Sequence, residues 1–275
     1  GKSKAIDNTG QIITADNFIY DKIENILNAK GQVKIEDTLQ DNIIYAKDIT
    51  YFRNEEKIVT DDTTKAEIST KYEITSKDVT FLKHEGILKS KNKTEIKDQN
   101  SQIYFLDEFN YSINEDLLKG VNILIITNYQ KPKSDKFYFS NAIINLNKKT
   151  FLAKNTEIIL HKDIFDRTDN DPRVYGVSSK NEGDKTIINK GIFTSCKIND
   201  NCPPWSITAE TIEHSKKKRR LTYTNAFLKI YDFPVMYIPK FFHPDPTVRR
   251  QSGLLKPEIN HSKILGKLSY YALLL

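Results

Sequence analysis

SKDVTFLKHEGILKSKNKTEI, residues 76–96, reads as a strand, a short polar turn and a second apolar opening. Val79 and Phe81 are two residues apart, so on a strand they share a face while Thr80 points the other way. That spacing is β periodicity, not the three-to-four spacing of an amphipathic helix.

The same text recurs along the chain. ADNFIY (15–20), AKDITY (46–51), SKDVTF (76–81), LDEFNY (106–111) and FSNAII (139–144) begin 31, 30, 30 and 33 residues apart. Each has a polar third residue, an apolar fourth and an aromatic or aliphatic sixth. A second apolar opening follows a polar turn each time: ILNAKGQVKI (26–35), IVTDDTTKAEI (58–68), ILKSKNKTEI (87–96), LLKGVNILI (117–125) and FLAKNTEIIL (151–160). Units of this length cannot bury an apolar face alone, so they stack on their neighbours. With two strands per unit at a spacing of ~4.8 Å, five or six units predict two facing sheets on the order of 25–30 Å long. The expected fold is an all-β, elongated jelly-roll or solenoid. Phe18, Tyr20, Ile49, Tyr51, Val79, Phe81, Phe109 and Tyr111 are expected to point inward. At this point the interior is either a filled core or a slot left open for an apolar ligand.

Composition sets the outer bounds. At 275 residues with 38% hydrophobic residues and a mean hydropathy of −0.54, the chain can bury a core and carries no apolar run long enough for a spanning helix. A transmembrane β-strand escapes that test, because its signal is only ~10 alternating residues. The chain starts on Gly1 and stops on YYALLL, and is expected to be a fragment at both ends. A net charge of +6 permits an anionic partner: nucleic acid, phospholipid or a phosphorylated glycolipid. Its densest run is Lys216-Lys217-Lys218-Arg219-Arg220, for which the plain reading is a solvated turn between strands. Cys196 and Cys202, the only cysteines, are separated by KINDN and are expected to close a local disulfide.

Catalytic and metal constellations are missing from the text. His84, His161, His214, His243 and His261 are scattered, with no HExxH, nucleophile elbow or phosphate-cradling loop. Asp163, Asp166, Asp169 and Asp171 cluster in KDIFDRTDNDPR without the glycine and terminal glutamate of an EF-hand. The expectation is no catalytic residue, no metal and no cofactor. The enzymatic alternative is a secreted polysaccharide-active β-helix. The others are a basic β-protein that binds nucleic acid and a purely structural β-solenoid.

The text changes after about residue 196, beyond which seven of the nine prolines lie. There stand CPPWSITAETIEH (202–214) and YTNAFLKIYDFPVMYIPKFFHPDPTVRRQSGLLKPEIN (223–260). This region resembles the OstA family of LPS-assembly outer-membrane proteins (LptD), through its PPW-I-A segment, its Y-NA-LKIYD-PV-Y-P stretch and its HPDPTVRRQSGLL-P signature. The close match covers about sixty residues. The upstream repeats look like that family's periplasmic jelly-roll.

The resemblance implies a periplasmic OstA-like jelly-roll over 1–240, a connector over 241–253 and the first strand of a truncated outer-membrane barrel over 254–275. It implies non-enzymatic lipopolysaccharide transport and assembly at the outer membrane, with the jelly-roll sheltering acyl chains on the way to a lateral gate. Pro244, Asp245, Pro246, Arg249, Arg250 and Gly253 would form the connector at the membrane interface. Pro257 would weaken pairing in the first barrel strand. The implied partners are lipopolysaccharide, a periplasmic bridge jelly-roll protein (LptA-like) at the N-terminal edge, and a lipoprotein plug (LptE-like) in the barrel. No nucleic acid is implied.

Overall fold

A computed structural model describes residues 3–6, 10–37, 41–161, 171–199 and 203–244, together with the backbone of the short strands between 253 and 274. The described elements are β-strands, joined by turns and one 3-10 turn at Arg53–Glu55. The chain divides into two compact units, Gly1–Ala153 and Lys154–Leu275.

The register of the long strands decides the architecture of the first unit. Strand Ile26–Asp37 pairs through residues 26–30 with Asn17–Asp21 and through 34–37 with Gln11–Ala15. Strand Asn42–Phe52 pairs through 48–52 with Lys57–Asp61 and through 43–45 with Thr63–Ile68. Strand Leu117–Ile126 pairs through its first half with Glu108–Ser112 and through its second half with Ile103–Leu106. One strand feeding two different neighbours must bend between them, so the unit is a jelly-roll of two arms joined along a line of corners.

The corners use the polar residues of the repeat. Gln32 (φ 45°), Asp62 (φ 62°), Asp78 (φ 47°) and Asn122 (φ 49°) adopt left-handed backbone where one arm gives way to the other. Asp and Asn tolerate that conformation better than β-branched residues do. A residue left out of the ladder also sharpens the bend, as between Lys30 and Val33. Side chains tie neighbouring corners together. Gly31 N–H donates to Asp48 Oδ1 at 2.9 Å, Asp62 N–H to Asp78 Oδ1 at 3.0 Å, and Asn122 Nδ2 to Asp107 Oδ2 at 2.8 Å.

This corrects the expected unit of strand, turn and strand. IVTDDTTKAEI, read above as one strand, breaks at Asp62 into Lys57–Asp61 in one arm and Thr63–Ile68 in the other. Each repeat therefore places strands in both arms, and a single row crosses nine strands. At ~4.8 Å per strand that row extends on the order of 40 Å, longer than the expected 25–30 Å.

Inward side chains line up in register across each arm. In one arm the row runs Tyr20, Leu27, Tyr51, Ile58, Phe81, Leu88, Tyr111, Leu118, Ile144. In the other it runs Ile13, Ile35, Ile44, Ala66, Ile74, Ile96, Tyr104, Ile125, Phe137. Tyr20 at the edge apart, the two rows belong to one apolar cluster, in which Ile58, Leu88, Ile96, Tyr111 and Leu118 are fully buried. Burial of each such side chain contributes about 1.5–3 kcal/mol.

In the second unit, Arg173–Glu182, Lys185–Thr194, Trp205–Ser215, Arg220–Ile230 and Phe233–Pro244 pair in succession, all antiparallel. Lys190 and Asn225 take the corner conformation, at φ 48° and 49°. Thr224 pairs with Lys240 and Ala226 with Ile238, so Asn225 and Pro239 fall together in the gap between ladders. A proline fits there because no ladder hydrogen bond is asked of its nitrogen. The core gathers Phe193, Trp205 and Tyr223, with Phe193 5.9 Å from Trp205 and 6.4 Å from Tyr223 between ring centroids. FFHP, the first part of the expected connector, is the end of strand Phe233–Pro244. Beyond it, Gly253–Leu254 pairs with Leu273–Leu274 and Glu258–Ser262 with Gly266–Tyr270.

Candidate functional site

Alternation along the strands sends the expected interior residues inward. Ile49, Tyr51, Val79, Phe81, Phe109 and Tyr111 are buried, with Phe109 at 3% and Tyr111 at 0% exposure. Phe18 is half-buried against the same cluster. Tyr20 is exposed, contrary to the inward placement expected of it. Its strand, Asn17–Asp21, has a described pairing on one side alone, with Ile26–Asp37, so no described strand covers the ring from the other side. Tyr20 Oη donates instead to Asn25 Oδ1 at 2.7 Å, and the Arg53 guanidinium lies 5.7 Å from its ring centre.

The tyrosines of the row form an amphipathic border. The rings of Tyr51 and Tyr111 lie on the apolar side, and their hydroxyls reach turns. Lys83 Nζ donates to Tyr51 Oη at 3.2 Å and lies 5.1 Å from the ring centre. Tyr111 donates to Asp116 Oδ1 at 2.9 Å. Across the interior, Tyr72 meets Tyr111 edge to face with ring centroids 6.3 Å apart, and the two arms are in contact at this level. Burial, reinforced by the charges of Asp116 and Asp98, pushes the Tyr72 phenol up to about 12. Burial raises Tyr111 as well, and its hydrogen bond to the Asp116 carboxylate acts in the same direction.

Sequence reasoning missed the second row, from Ile13 to Phe137, and the border cations Arg53 and Lys83. The signal for the row was present in QIITA (11–15), TTKAEI (63–68) and YEITSK (72–77), which alternate as cleanly as the repeats chosen. The cations carried none, since single basic residues in polar turns look like ordinary solvated charge.

Of the connector residues, Pro244 ends strand Phe233–Pro244 opposite Arg220. Asp245, Pro246, Arg249, Arg250 and Pro257 lie outside the described residues, and for Gly253 the backbone strand alone is described. Cys196 is a half-buried free cysteine whose thiol lies 3.6 Å from the Trp205 carbonyl oxygen. Cys202, its expected disulfide partner, falls outside the described residues. So do Asp163, Asp166 and Asp169, while Asp171 Oδ2 accepts from Ile198 N–H at 2.8 Å. Among the described residues no group of three or more His, Cys, Asp and Glu side chains is placed to hold a metal ion. No helix among them is long and apolar enough to cross a membrane, which says nothing of a β-barrel.

No family model matches. The LPS-assembly protein LptD of Francisella tularensis subsp. novicida is 37% identical over 86 residues, which is 31% of this chain and 10% of that protein. The LPS-assembly protein LptD of Pseudomonas aeruginosa is 27% identical over 126 residues, 46% of this chain and 13% of that protein. The protein of the same name from Pseudoalteromonas translucida is 39% identical over 74 residues, 27% of this chain and 10% of that protein. The matched stretch spans about a tenth of the length of these curated relatives, and the chain is LptD-like over it.

Proposed function

We propose that this LptD-like chain is the periplasmic portion and gate-side connector of a lipopolysaccharide-assembly protein of the outer membrane, acting by non-covalent transfer and not by catalysis. One observation carries the reading: the two in-register apolar rows of the first unit, which face each other along nine strands. Exposing a CH₂ group to water costs about 0.8 kcal/mol, so one twelve-carbon acyl chain represents on the order of 9 kcal/mol. A lane on the order of 40 Å long shelters such a chain throughout. The bordering tyrosine hydroxyls, with Arg53 and Lys83, suit the polar boundary between acyl chains and phosphorylated sugars.

In this reading acyl chains enter by parting the two arms along their turn-lined border, at Phe18, Tyr20, Ile49, Tyr51, Val79, Phe81, Phe109 and Tyr111. The edge strand Asn17–Asp21 is the docking point for a strand of a bridge jelly-roll protein. Pro244 to Gly253 carries the chain toward the barrel, where Pro257 loosens the gate seam and a lipoprotein plug sits.

A photo-crosslinking residue at Phe109, with its outward neighbour Asn110 as control, tests this in cells. Adducts with lipopolysaccharide at 109 and not at 110 support the lane. A second reading, a packed spacer, is favoured by the complete burial of Tyr111 and its contact with Tyr72. Adducts at neither position would establish it.

A further inference from the structure

Lys216, Lys217, Lys218 and Arg219 form the tight turn between strands Trp205–Ser215 and Arg220–Ile230, and all four side chains are exposed. The turn is a fixed one: Lys216 N–H donates to the Asp184 carbonyl at 2.8 Å, and Arg219 N–H to the Lys216 carbonyl at 3.2 Å, with Arg219 in left-handed backbone. Neighbouring carboxylates do not pair with its three lysines. Glu213 is paired with Lys185 at 3.6 Å, Glu182 with Lys180 at 3.0 Å, and no ion pair to Lys216, Lys217 or Lys218 is found among the described residues. Arg220 packs its guanidinium 5.1 Å from the ring centre of Phe242, which is itself 41% exposed.

The register supplies the direction. Arg220 lies opposite Pro244, so the cations crowd the end of the hairpin at which the chain leaves strand Phe233–Pro244 for residues 245–253. We propose that this turn, residues 216–220 with Phe242, is a membrane-surface contact that binds the phosphate groups of an anionic phospholipid bilayer. Clustered cations beside an exposed aromatic ring match that surface, where each Lys or Arg adds attraction to anionic head groups and an amphipathic ring sits at head-group level. The site is a hairpin end with one exposed ring, Phe242, not a row of stacked aromatic platforms such as single-stranded nucleic acid uses. The inference rests on the reading that the connector leads to the outer membrane, and it assigns to the turn the task of holding the second unit against that membrane.

The test is vesicle flotation of the 275-residue chain with phosphatidylglycerol mixed into phosphatidylcholine, against phosphatidylcholine alone. The expected result is binding to the anionic vesicles, lost at about 1 M salt, where the screening length falls to about 3 Å. The combined variant Lys216→Gln, Lys217→Gln and Lys218→Gln should lose on the order of a hundredfold in partitioning. Its strand signal in circular dichroism should stay unchanged, because the replaced side chains are exposed. Phe242→Ser should weaken binding further in the same direction. Equal flotation of the variant and the parent chain overturns the proposal, as does equal binding to both kinds of vesicle. Loss of oligonucleotide binding in the variant with flotation unchanged overturns it in favour of nucleic acid. Crosslinking at Phe109 is read in parallel. Flotation without lipopolysaccharide adducts leaves the membrane contact standing and removes the transport reading, whereas adducts without flotation do the reverse.

Discussion

The hydroxyl of Tyr223 donates to Nε2 of His243 at 2.8 Å, and Nδ1 of the same ring donates to the Pro244 carbonyl at 2.8 Å. A carbonyl only accepts, so Nδ1 carries the proton and a neutral ring leaves Nε2 as the acceptor for Tyr223. Phe241 stacks on Tyr223 with centroids 4.6 Å apart, and Tyr223 has no exposed surface. The end of strand Phe233–Pro244 is thereby latched to the core of the second unit, one residue before the chain departs.

Tyr223→Phe should remove the latch and little else, since it keeps the stacked ring and deletes one donor. The expected cost is about 1–2 kcal/mol, because the part-buried Nε2 loses the Tyr223 donor. Urea unfolding of the variant checks it. A midpoint equal to that of the parent chain would show that the bond adds nothing to stability.

Asp78 holds a corner with both carboxylate oxygens: Oδ1 accepts from Asp62 N–H at 3.0 Å, and Oδ2 from Asn92 Nδ2 at 3.2 Å. Asp78→Val removes both acceptors and puts a β-branched residue at φ 47°, a conformation it strongly resists. A loss of about 2–3 kcal/mol is expected, with Asp78→Asn costing much less. Equal effects from the two substitutions would disconnect the corner from its backbone geometry.

Leu88 is fully buried in the row between Phe81 and Tyr111, while Lys89 beside it is exposed. Leu88→Ala should cost about 2–5 kcal/mol and Lys89→Ala at most about 0.5 kcal/mol. Thermal melts of both variants measure the contrast. A reversed order would mean that the strand phase is wrong by one residue.

Alkali should unfold the first unit through its tyrosines. The Tyr72 phenol ionises near 10 when unfolded and at about 12 when folded, raised chiefly by burial. The folded state therefore holds its proton over that interval while the unfolded state releases it. The stability so contributed is fully present below pH 10 and is lost as the pH rises toward 12. Tyr104 and Tyr111 shift in the same direction, again mainly through burial. Phenolate absorbance followed together with circular dichroism should show these groups ionising in step with unfolding. Ionisation of every tyrosine near pH 10 with the strands intact would contradict their burial.

Much of the architecture was legible in the text, because a strand has a side-chain period of two and the repeat has a period near thirty. Val79 with Phe81, and Phe109 with Tyr111, declared a common face, and burial followed. Tyr20 obeys the same alternation and is nevertheless exposed, since exposure depends on whether a neighbouring strand exists, and that neighbour is specified elsewhere or not at all. Phe242 and the lysine run were visible as letters, but their adjacency to Pro244 is a matter of hairpin register.

The strands and most of their inward faces were written in the amino-acid text, and HPDPTVRRQSG at residues 243–253 carried the resemblance to LptD. That a single strand such as Ile26–Asp37 serves two arms followed from its pairing in three dimensions. The bend rests on ordinary polar residues in left-handed backbone, Gln32, Asp62, Asp78 and Asn122 among them. Such residues are common in any polar turn, and what makes them corners is the pairing of the strands on either side, a non-local choice set by which apolar rows can be buried together.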